Sequence, residues 1–583
     1  MAFHTVLPKI ATSWVINLYR AARKLGSNGV PNYRNSCATK PSTGAASLCT
    51  IPSAGDTTVV CDFDGGLLRS TALFPYFMLM ACEGGSLIRA LLLLCSFPLV
   101  WILGEHTDAG VGVMAFVTFV GIRPRDTDLV ARAVLPKFYM ERLNAHVYDQ
   151  LWLPARRKVA VTSAPRVMAE WFLKEYMAAD VVVGRELQMV KIRHGCYYTG
   201  ILCRPGPGMR QKALREVLGA DGAMADVAVV GTSNPLNHLF IPYCKELYVV
   251  STECAKTAQL PRERCPRPLI FHDGRLAFLP TSSAMLAFFL FLPLGLVLSV
   301  IRISIGIILP YKISFAASAF FGIRFRTSGC PSTGAGAKPR GVLFVCAHRT
   351  LVDGVMLAGA LQKPVSTVTY SLSRLSEILA PVKTVRLTRD RDLDAKAISQ
   401  LLEQGDLAVC PEGTTCGEPY LLRFSPLFAE LADDMVPVAL DAQVTLLYGT
   451  TTSGRKWLDP IAFLANPAPS YRVEFLGPVP RDQTRAGGRT GVEVANWVQH
   501  RLGEALAPAA EFEISKEDDK GASKRAAIPK ACSILEPLSD PLIGIVVHHT
   551  QRLEDADGDH RLQLASTGGK LLKEQGDKRS GVA

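Results

Sequence analysis

Short apolar runs that end in small or polar residues recur through the first half of the chain. Continuous apolar runs of this length, bounded by turn-forming residues, predict buried β-strands. The clearest examples are TTVVCDFDG (57–65), KVAVTSAP (158–165), VAVVGTSN (227–234) and KELYVVS (245–251). Helix-length segments such as residues 166–178 lie between them. This alternation predicts an α/β domain with a parallel sheet over residues 57–255.

The same alternation returns over residues 341–508. The apolar runs 341–346 and 406–410 predict strands, and polar loops follow each of them directly, HRTLVD (348–353) and PEGTT (411–415). In open α/β sheets, ligands bind at the loops that follow the strands. The sequence therefore predicts a second α/β domain whose site is formed by these two loops.

Three segments do not have the pattern of a folded domain. Residues 1–56 are predicted to be an N-terminal helix and a flexible linker, because residues 28–56 are rich in Ser, Thr, Pro, Gly and Asn. A second linker of Gly, Pro and Ser, residues 330–340, precedes the second domain. Residues 512–583 are strongly charged and are predicted to be largely disordered.

Two regions are too apolar for an ordinary surface. Residues 284–310 are almost continuously apolar, with Arg302 as the only charge, and the apolar block 281–326 predicts membrane insertion. The basic residues Lys312, Arg324 and Arg326 follow and favour a cytosolic flank. Residues 85–122 form an apolar helical insertion in the first domain. Its two apolar pieces are too short to span, so a re-entrant hairpin and a buried helical cap both remain open.

Composition narrows the class of partner. The chain has 583 residues, a hydrophobic fraction of 48% and a net charge of +12, which together favour an anionic membrane surface or anionic substrates. The basic residues are scattered, with no arginine-rich run and no aromatic stacking motif, so nucleic acid is not an expected partner. The 15 cysteines form no CxxC pairs, which argues against a disulfide framework and against zinc.

The first strand-end loop carries a candidate base and its orienting group. His348 and Asp353 can meet if the histidine lies in the loop and the aspartate in the first turn of a following helix, where a carboxylate is favoured. The aspartate would then fix one imidazole nitrogen and leave the other to remove a proton from a hydroxyl. The alternative is a histidine that only bonds a nearby backbone carbonyl.

The second loop and the segment between the loops carry groups suited to phosphate. Gly413 permits close approach of the backbone to a ligand, and Thr414 and Thr415 can donate hydrogen bonds. The intervening VRLTRDR (385–391) is arginine-rich, and arginine suits bidentate recognition of phosphate. An ordinary turn and a solvated charge cluster are the alternatives. Together the two loops point to acyl transfer onto a phosphorylated alcohol.

Residues 342–439 resemble the glycerolipid acyltransferase family. Four blocks appear in the family's order: CAHRTLVD (346–353), TYSLSRLSEILAPVKTVRLTRDRD (369–392), LAVCPEGTTCGEPYLLRFSPLFAEL (407–431) and VPVAL (436–440). The second and third are especially similar to the land-plant glycerol-3-phosphate acyltransferases that supply cutin and suberin. The resemblance extends from the region of Asp62 to about residue 506 and implies the acyltransferase α/β fold for the second domain.

The resemblance also implies roles and substrates. His348 would be the general base and Asp353 its partner. The residues that it implies for binding glycerol 3-phosphate are Glu412, Gly413, Thr414, Arg389 and Arg391. The acyl donor would be fatty acyl-CoA, the product lysophosphatidic acid acylated at the secondary position, and no cofactor is expected. The enzyme would lie at a lipid bilayer, at the endoplasmic reticulum, with its site facing the cytosol.

Two positions depart from the family pattern. Gly354 stands where the family usually has proline, which removes a preference for helix initiation. Gly417 stands where the plant enzymes usually have arginine, which weakens the expected substrate binding. Neither change removes the proposed base or its partner.

The first domain resembles the haloacid-dehalogenase-like (HAD-like) phosphatases. Asp62 and Asp64 match the nucleophile and the acid/base of the first motif. Thr162 resembles the second motif and Lys212 the third. The fourth motif should supply an acidic pair for Mg²⁺, and the chain has Thr232, Asn234 and Asn237 in that stretch instead. We therefore expect a degenerate phosphatase domain without Mg²⁺.

Other functions stay open at this stage. A bifunctional acyltransferase and phosphatase would release monoacylglycerol, and the missing acidic pair argues against it. A catalytically silent, lipid-binding membrane scaffold would have no need for HRTLVD and PEGTT. An acceptor other than glycerol 3-phosphate, such as lysophosphatidate, is a further alternative.

Overall fold

The structure is a computed structural model that covers most of both predicted domains. It describes residues 57–192, 195–203, 218, 224–231, 244–250, 260–261, 264–265, 274–330, 341–369, 377, 380–388, 390–415, 421–451 and 456–506. The predicted N-terminal segment (1–56) and the charged tail (512–583) lie outside these residues. Of the predicted linker 330–340, only residue 330 is described.

The N-terminal domain is built on a five-stranded parallel sheet, as the sequence predicted. Its strand order is β3-β2-β1-β6-β7, and every neighbouring pair is parallel. The strands are β1 (Thr58–Asp62), β2 (Arg157–Pro165), β3 (Val181–Arg185), β6 (Ala225–Gly231) and β7 (Cys244–Val250). An antiparallel hairpin, β4 (Leu187–Ile192) and β5 (Gly195–Leu202), lies outside this sheet. The third strand and the hairpin were not predicted.

The other described elements of this domain are helices. They are α1 (Phe74–Glu83), α2 (Leu87–Leu103), α3 (Asp108–Phe119), α4 (Pro124–Ala133), α5 (Leu135–Met140), a one-turn helix (Ala145–Val147) and α6 (Arg166–Glu175). The helix α1 is buried along nearly all of its length in the domain core. Ser86 caps α2 by accepting a hydrogen bond from the Arg89 N–H, and Thr107 caps α3 by accepting one from Gly110. The predicted apolar insertion is therefore a helical hairpin, α2–α3.

Two apolar helices lead from the first domain to the second. They are α7 (Ser282–Ile308) and α8 (Tyr311–Phe320). Among the described residues, α7 is the one helix that is long and apolar enough to cross a membrane by length and composition, with a mean hydropathy of 2.6 over its most apolar window.

The C-terminal domain is built on a seven-stranded mixed sheet of order β11-β10-β12-β9-β13-β14-β8. Its strands are β8 (Arg324–Ser328), β9 (Leu343–Cys346), β10 (Ser366–Thr369), β11 (Thr384–Arg386), β12 (Leu407–Val409), β13 (Met435–Gln443) and β14 (Ser470–Phe475). Its helices are α9 (Asp353–Leu361), α10 (Arg391–Gln404), α11 (Leu427–Leu431), α12 (Asp459–Leu464) and α13 (Gly491–Leu506). The strands β8 and β14 run against the other five.

The two domains contact each other directly. Glu83, at the end of α1, accepts hydrogen bonds from the backbone N–H groups of Arg275 (2.7 Å) and Leu276 (3.0 Å). Leu276 in turn forms an isolated β-bridge with Leu447 of the C-terminal domain. The Lys137 ammonium group of α5 donates to the Tyr448 hydroxyl. The segment that precedes α7 is thus bonded to both domains.

A buried ion pair completes this contact. The Arg275 guanidinium lies 2.5 Å from the Asp459 carboxylate, whose side chain is only 1% exposed. Burial raises the pKa of Asp459 to about 6, although the Arg275 charge acts in the opposite direction. Since this pKa is higher in the folded than in the unfolded state, the carboxylate costs stability as pH rises through 6.

We expect Arg275→Met to destabilise the protein, because Asp459 then stays buried without its counter-charge. The loss at pH 7.5 should be about 3–5 kcal/mol. It should be smaller at pH 5, where Asp459 carries a proton. Denaturant unfolding of the purified protein at the two pH values measures both losses of stability.

The matched control is Arg472→Met, which removes an exposed pair with Glu474 and should cost at most about 1 kcal/mol. Equal losses of stability for Arg275→Met at both pH values would contradict the inference that Asp459 is charged at pH 7.5 and protonated at pH 5.

Candidate active site

The two strand-end loops emerge side by side because their strands are neighbours. The strands β9 and β12 are parallel and in register, with Leu343 opposite Leu407 and Val345 opposite Val409. Both strands therefore end at the same edge of the sheet, and the loops that begin at His348 and Pro411 meet there. The position matches the rule for ligand sites in open α/β sheets.

His348 and Asp353 form a hydrogen-bonded pair at this edge. Asp353 is the first residue of α9 and is 3% exposed, and its Oδ2 lies 2.9 Å from His348 Nδ1. The carboxylate also accepts from the backbone N–H groups of Arg349 (2.7 Å) and Thr350 (2.8 Å) and from the Thr350 hydroxyl (2.8 Å). Toward all of these groups the Asp353 side chain is a hydrogen-bond acceptor. Nδ1 then carries the proton, and Nε2 is the basic nitrogen.

Tyr471, which sequence reasoning missed, also binds this carboxylate. Its hydroxyl donates to Asp353 Oδ1, and its side chain is fully buried. Burial, together with the adjacent Asp353 charge, raises the pKa of Tyr471 well above its usual value, so the hydroxyl stays a neutral donor. The residue lies on β14, 118 positions along the chain from Asp353. No local sequence pattern indicates a contact at that separation.

Glu412 connects the base loop to a third segment. Its Oε1 accepts from the His348 backbone N–H (2.7 Å), and its Oε2 accepts from the Leu422 N–H (3.0 Å). Burial raises the pKa of Glu412, although these two bonds and the nearby Arg349 act against the shift. Both carboxylate oxygens are thus occupied by protein. This arrangement favours a structural role for Glu412 that holds the His348 loop in place.

The rest of PEGTT presents backbone and hydroxyl groups. Gly413 is exposed and has φ = +72°, a left-handed conformation that glycine adopts without strain. Thr414 lines the cavity beside it. Thr415 is buried, and its hydroxyl is bonded to that of Thr450. Thr414 therefore lies at the cavity, whereas the Thr415 hydroxyl is engaged within the protein.

The arginines differ in their surroundings. Arg391 lies at the cavity, but its guanidinium donates to both carboxylate oxygens of Glu430, each at 2.6 Å. Arg386 pairs with Glu377. Arg423, which sequence reasoning did not single out, is exposed and lines the cavity, and it has no hydrogen-bond or ion-pair partner among the described residues. Arg389 and Gly417 lie outside the described residues.

A single cavity of about 1030 Å³ connects these groups to the apolar helices. Its lining includes the polar residues His348, Thr414 and Arg423. It also includes the apolar residues Ile303 and Ile307 of α7 and Phe315 of α8. The cavity can therefore accept a molecule with a charged head and a long apolar tail.

Gly354 has a packing partner that explains why proline is absent there. A Cβ atom at this position would lie 2.3 Å from the Cγ2 atom of Thr367 on β10, which is far too close. Gly354 is the second residue of α9, and it lets the helix approach the sheet closely. The departure from the family pattern is thus matched to the threonine opposite.

Three potential metal ligands lie together in this site. Cys410 lies close to His348 and Asp353, with their potential ligand atoms within 4.8 Å of one another. Burial raises the pKa of the Cys410 thiol, which disfavours the thiolate that a metal needs. The Asp353 oxygens already accept hydrogen bonds from four residues. These groups do not fit a metal ion.

The phosphatase-like motif lies at the end of β1 in the other domain. Asp64 is buried and accepts from the Thr162 hydroxyl (3.0 Å) and from the Ser163 N–H (2.5 Å). Asp62, at the end of β1, is 2% exposed. The loop packs tightly, since a Cβ at Gly231 would lie 2.6 Å from the Gly65 carbonyl oxygen. Lys212, Thr232, Asn234 and Asn237 lie outside the described residues.

Fold and site together define an acyltransferase domain joined to a HAD-like domain. Residues 58–250 match the family model described as "Glycerol-3-phosphate acyltransferase RAM2-like, HAD-like domain". Residues 333–446 match the model "Acyltransferase". These matches confirm the fold class and the two resemblances that the sequence motifs indicated.

Similar proteins extend this result over most of the chain. Glycerol-3-phosphate acyltransferase 1 of Arabidopsis thaliana is 49% identical over 464 residues, which cover 77% of this chain and 78% of that protein. Glycerol-3-phosphate acyltransferase RAM2 of Petunia hybrida is 41% identical, with coverage of 76% and 92%. The probable glycerol-3-phosphate acyltransferase 3 of Arabidopsis thaliana is 42% identical, with coverage of 84% and 93%. The chain belongs to the plant glycerol-3-phosphate acyltransferase family.

Replacement of Tyr471 tests whether its hydroxyl positions the His348–Asp353 pair. Tyr471→Phe removes one donor from Asp353, which makes the carboxylate more basic and stabilises the imidazolium form of His348. We expect the acid limb of the pH profile of kcat/KM to move to higher pH and activity at neutral pH to fall about tenfold.

The matched control is Tyr139→Phe, which removes another buried hydroxyl, one bonded to Met168 in the other domain. It should leave the pH profile unchanged. If Tyr471→Phe loses activity with an unshifted profile, the hydroxyl has only a structural role.

Proposed function

We propose that this protein transfers a fatty acyl group from acyl-CoA to glycerol 3-phosphate, producing lysophosphatidic acid. The observation that carries the proposal is the His348–Asp353 pair, which lines a cavity that apolar residues of α7 and α8 also line. The family of the chain supports the acceptor. The His–Asp pair supports transfer to a hydroxyl group, because it provides a base whose tautomer is fixed.

In the proposed mechanism His348 acts as base and then as acid. Asp353 holds Nδ1–H, and Nε2 accepts the proton of the acceptor hydroxyl as its oxygen attacks the thioester carbonyl. The tetrahedral intermediate collapses when the C–S bond breaks. The imidazolium then returns its proton to the departing CoA thiolate. The products are the ester and free CoA, and no metal or cofactor takes part in these steps.

The phosphate of the acceptor would bind at the cavity mouth. Arg423 is the candidate with the strongest structural support, since it lines the cavity and has no partner among the described residues. Arg391 could contribute by exchanging Glu430 for phosphate, and Arg389 and Thr414 remain candidates from the family resemblance. Arginine suits this role because its guanidinium binds phosphate in a bidentate manner.

The proposed product keeps its phosphate. In the HAD-like domain, Asp64 is bonded to Thr162 and Ser163, and the sequence lacks the acidic pair that holds Mg²⁺. Without the metal, hydrolysis of a phosphate ester at Asp62 has no electrostatic support. We therefore propose that phosphatase activity is absent and that acylation occurs at the secondary hydroxyl, the latter by resemblance. The products would supply extracellular polyesters of the cutin and suberin type or glycerolipids, at the cytosolic side of the endoplasmic reticulum.

Replacement of His348 tests the catalytic assignment. Microsomes that contain the wild-type protein, supplied with labelled glycerol 3-phosphate and acyl-CoA, should form labelled lysophosphatidic acid. His348→Ala should abolish this product. The matched control is His500→Ala, since this histidine pairs with Glu504 on an exposed helix face, and it should retain full activity. Equal incorporation by wild type and His348→Ala would overturn the proposal, and release of inorganic phosphate would favour the bifunctional alternative.

Replacement of Arg423 tests the phosphate site. We expect Arg423→Ala to raise KM for glycerol 3-phosphate at least about tenfold, in line with the loss of a charge-assisted contact, while KM for acyl-CoA changes little. Arg501→Ala, which removes an exposed arginine paired with Glu504, is the matched control. An unchanged KM for Arg423→Ala, together with a raised KM for Arg391→Ala, would assign the phosphate to Arg391 instead.

A further inference from the structure

The long apolar helix α7 is packed against protein along one face over its whole length. Its buried residues recur every three to seven positions: Met285, Phe288, Gly295, Ser299, Arg302 and Ile305. Met285 and Phe288 belong to the core of the HAD-like domain. The later positions pack on the acyltransferase domain. One helix thus joins the cores of both domains.

The contacts of the second half of α7 are polar as well as close. A Cβ at Gly295 would lie 2.7 Å from the Ala465 carbonyl oxygen, so only glycine permits this approach. The Ser299 hydroxyl donates to the Ile461 carbonyl at 3.1 Å. Both contacts lie on α12 and the residue that follows it. The helix α7 therefore lies alongside the surface of the acyltransferase domain.

Arg302 fixes the helix most firmly. Its guanidinium donates to the backbone carbonyls of Asn466 (2.6 Å), Phe321 (2.9 Å) and Pro467 (3.0 Å), and also to that of Leu464. These carbonyls end α8 and α12, and helix C-termini favour a cation. The only charge in the apolar helix is thus satisfied by the acyltransferase domain itself.

This packing is incompatible with a helix that crosses a bilayer. The longest interval between buried positions, from Phe288 to Gly295, is seven residues, or about 10 Å of helix, whereas the hydrocarbon core is about 30 Å thick. A single crossing would also place the two domains on opposite sides of the membrane. They touch instead, through Glu83 and the 275–276 segment and through Lys137 and Tyr448.

The opposite face of α7 is apolar and exposed. Its exposed residues are Leu286, Leu290, Leu294, Leu296, Val297, Val300, Ile307 and Ile308. The helix α2 packs beside α7 and exposes a similar set: Leu87, Ile88, Leu91, Leu92, Leu99, Trp101 and Ile102. We call these two sets the apolar face.

The helix α2 is fixed to the HAD-like domain at both ends. At its start the Ser86 N–H donates to the Ala81 carbonyl, at the end of α1. Just past its end, Glu105 accepts from the Phe74 N–H, at the start of α1. The helix α2 therefore runs back along α1 and cannot extend away from the domain. Its exposed residues belong to the same molecular surface as those of α7.

We infer that the apolar face lies in one leaflet of a membrane, with both domains on the same side, so that neither α7 nor α2 crosses the bilayer. Lipid is the occupant because the same helix, through Ile303 and Ile307, also lines the cavity. Substrate and product tails can thus pass between cavity and leaflet beside the apolar face. This choice of occupant rests on the proposed function, whereas the absence of a crossing rests on the packing of α7 and on the contact between the two domains.

Topology mapping of the full chain in microsomes tests the first part. An acceptor sequence for N-glycosylation is inserted at residues 193–194, between β4 and β5, or at residues 331–340, after β8. We expect neither site to be glycosylated and both to be cleaved by protease added outside intact vesicles. The same acceptor behind a cleavable signal peptide is the positive control. Glycosylation at one site and not at the other would overturn the inference.

Flotation with phosphatidylcholine–phosphatidylserine vesicles tests the second part. The variant Leu290→Glu/Leu294→Glu/Val297→Glu should lose most of its vesicle binding, at least about tenfold, because three charges enter the apolar face. The matched control is Leu129→Glu/Leu153→Glu/Leu393→Glu, at exposed leucines outside the apolar face, and it should float like the wild type. Unfolding midpoints show whether each variant is folded.

Two outcomes would overturn the lipid assignment. One is a folded apolar-face variant that floats like the wild type. The other is a wild-type protein that forms a stable dimer through this face and does not bind vesicles. His348→Ala should float normally, so failure of the proposed activity and failure of membrane attachment are read separately.

Discussion

The arrangement of the acyltransferase site depends on the buried carboxylate of Asp353. It accepts hydrogen bonds from His348, from the backbone of Arg349, from the backbone and hydroxyl of Thr350, and from Tyr471. A buried charge is tolerated only when such donors surround it. The same group therefore orders the loop after β9, the first turn of α9 and the far strand β14. The geometry of the proposed base and the local fold around it thus depend on the same carboxylate.

A second constraint couples the site to the surface of the molecule. Arg302 binds carbonyls just after α8 and α12, and α7, which carries Arg302, also lines the cavity. These bonds hold the α7 part of the cavity wall against the domain that carries the base. Glu412 has a comparable effect beside the base, where it holds the His348 loop against the segment at Leu422.

Sequence reasoning predicted those features that are encoded locally. The four parallel strands of the first domain, the α/β class and the acyltransferase family were confirmed, because apolar runs and contiguous motifs carry them. The strand β3 (VVVGR) is short and was missed, and so was the β4–β5 hairpin. Tyr471 and Arg423 were missed for a different reason: their roles depend on which distant segments the fold brings together. Composition marked α7 for the membrane, but its polar contacts with α12 become visible only in three dimensions.

The contact between Gly354 and Thr367 has a consequence for how this sequence can change over time. Proline, the usual residue of the family at that position, cannot enter while the threonine methyl group occupies the space of its Cβ atom. The threonine side chain must turn away or be exchanged for a smaller residue before a larger side chain fits at position 354. Position 354 on α9 thus depends on a neighbour on β10, and a comparison of sequences at position 354 alone would mistake that dependence for tolerance.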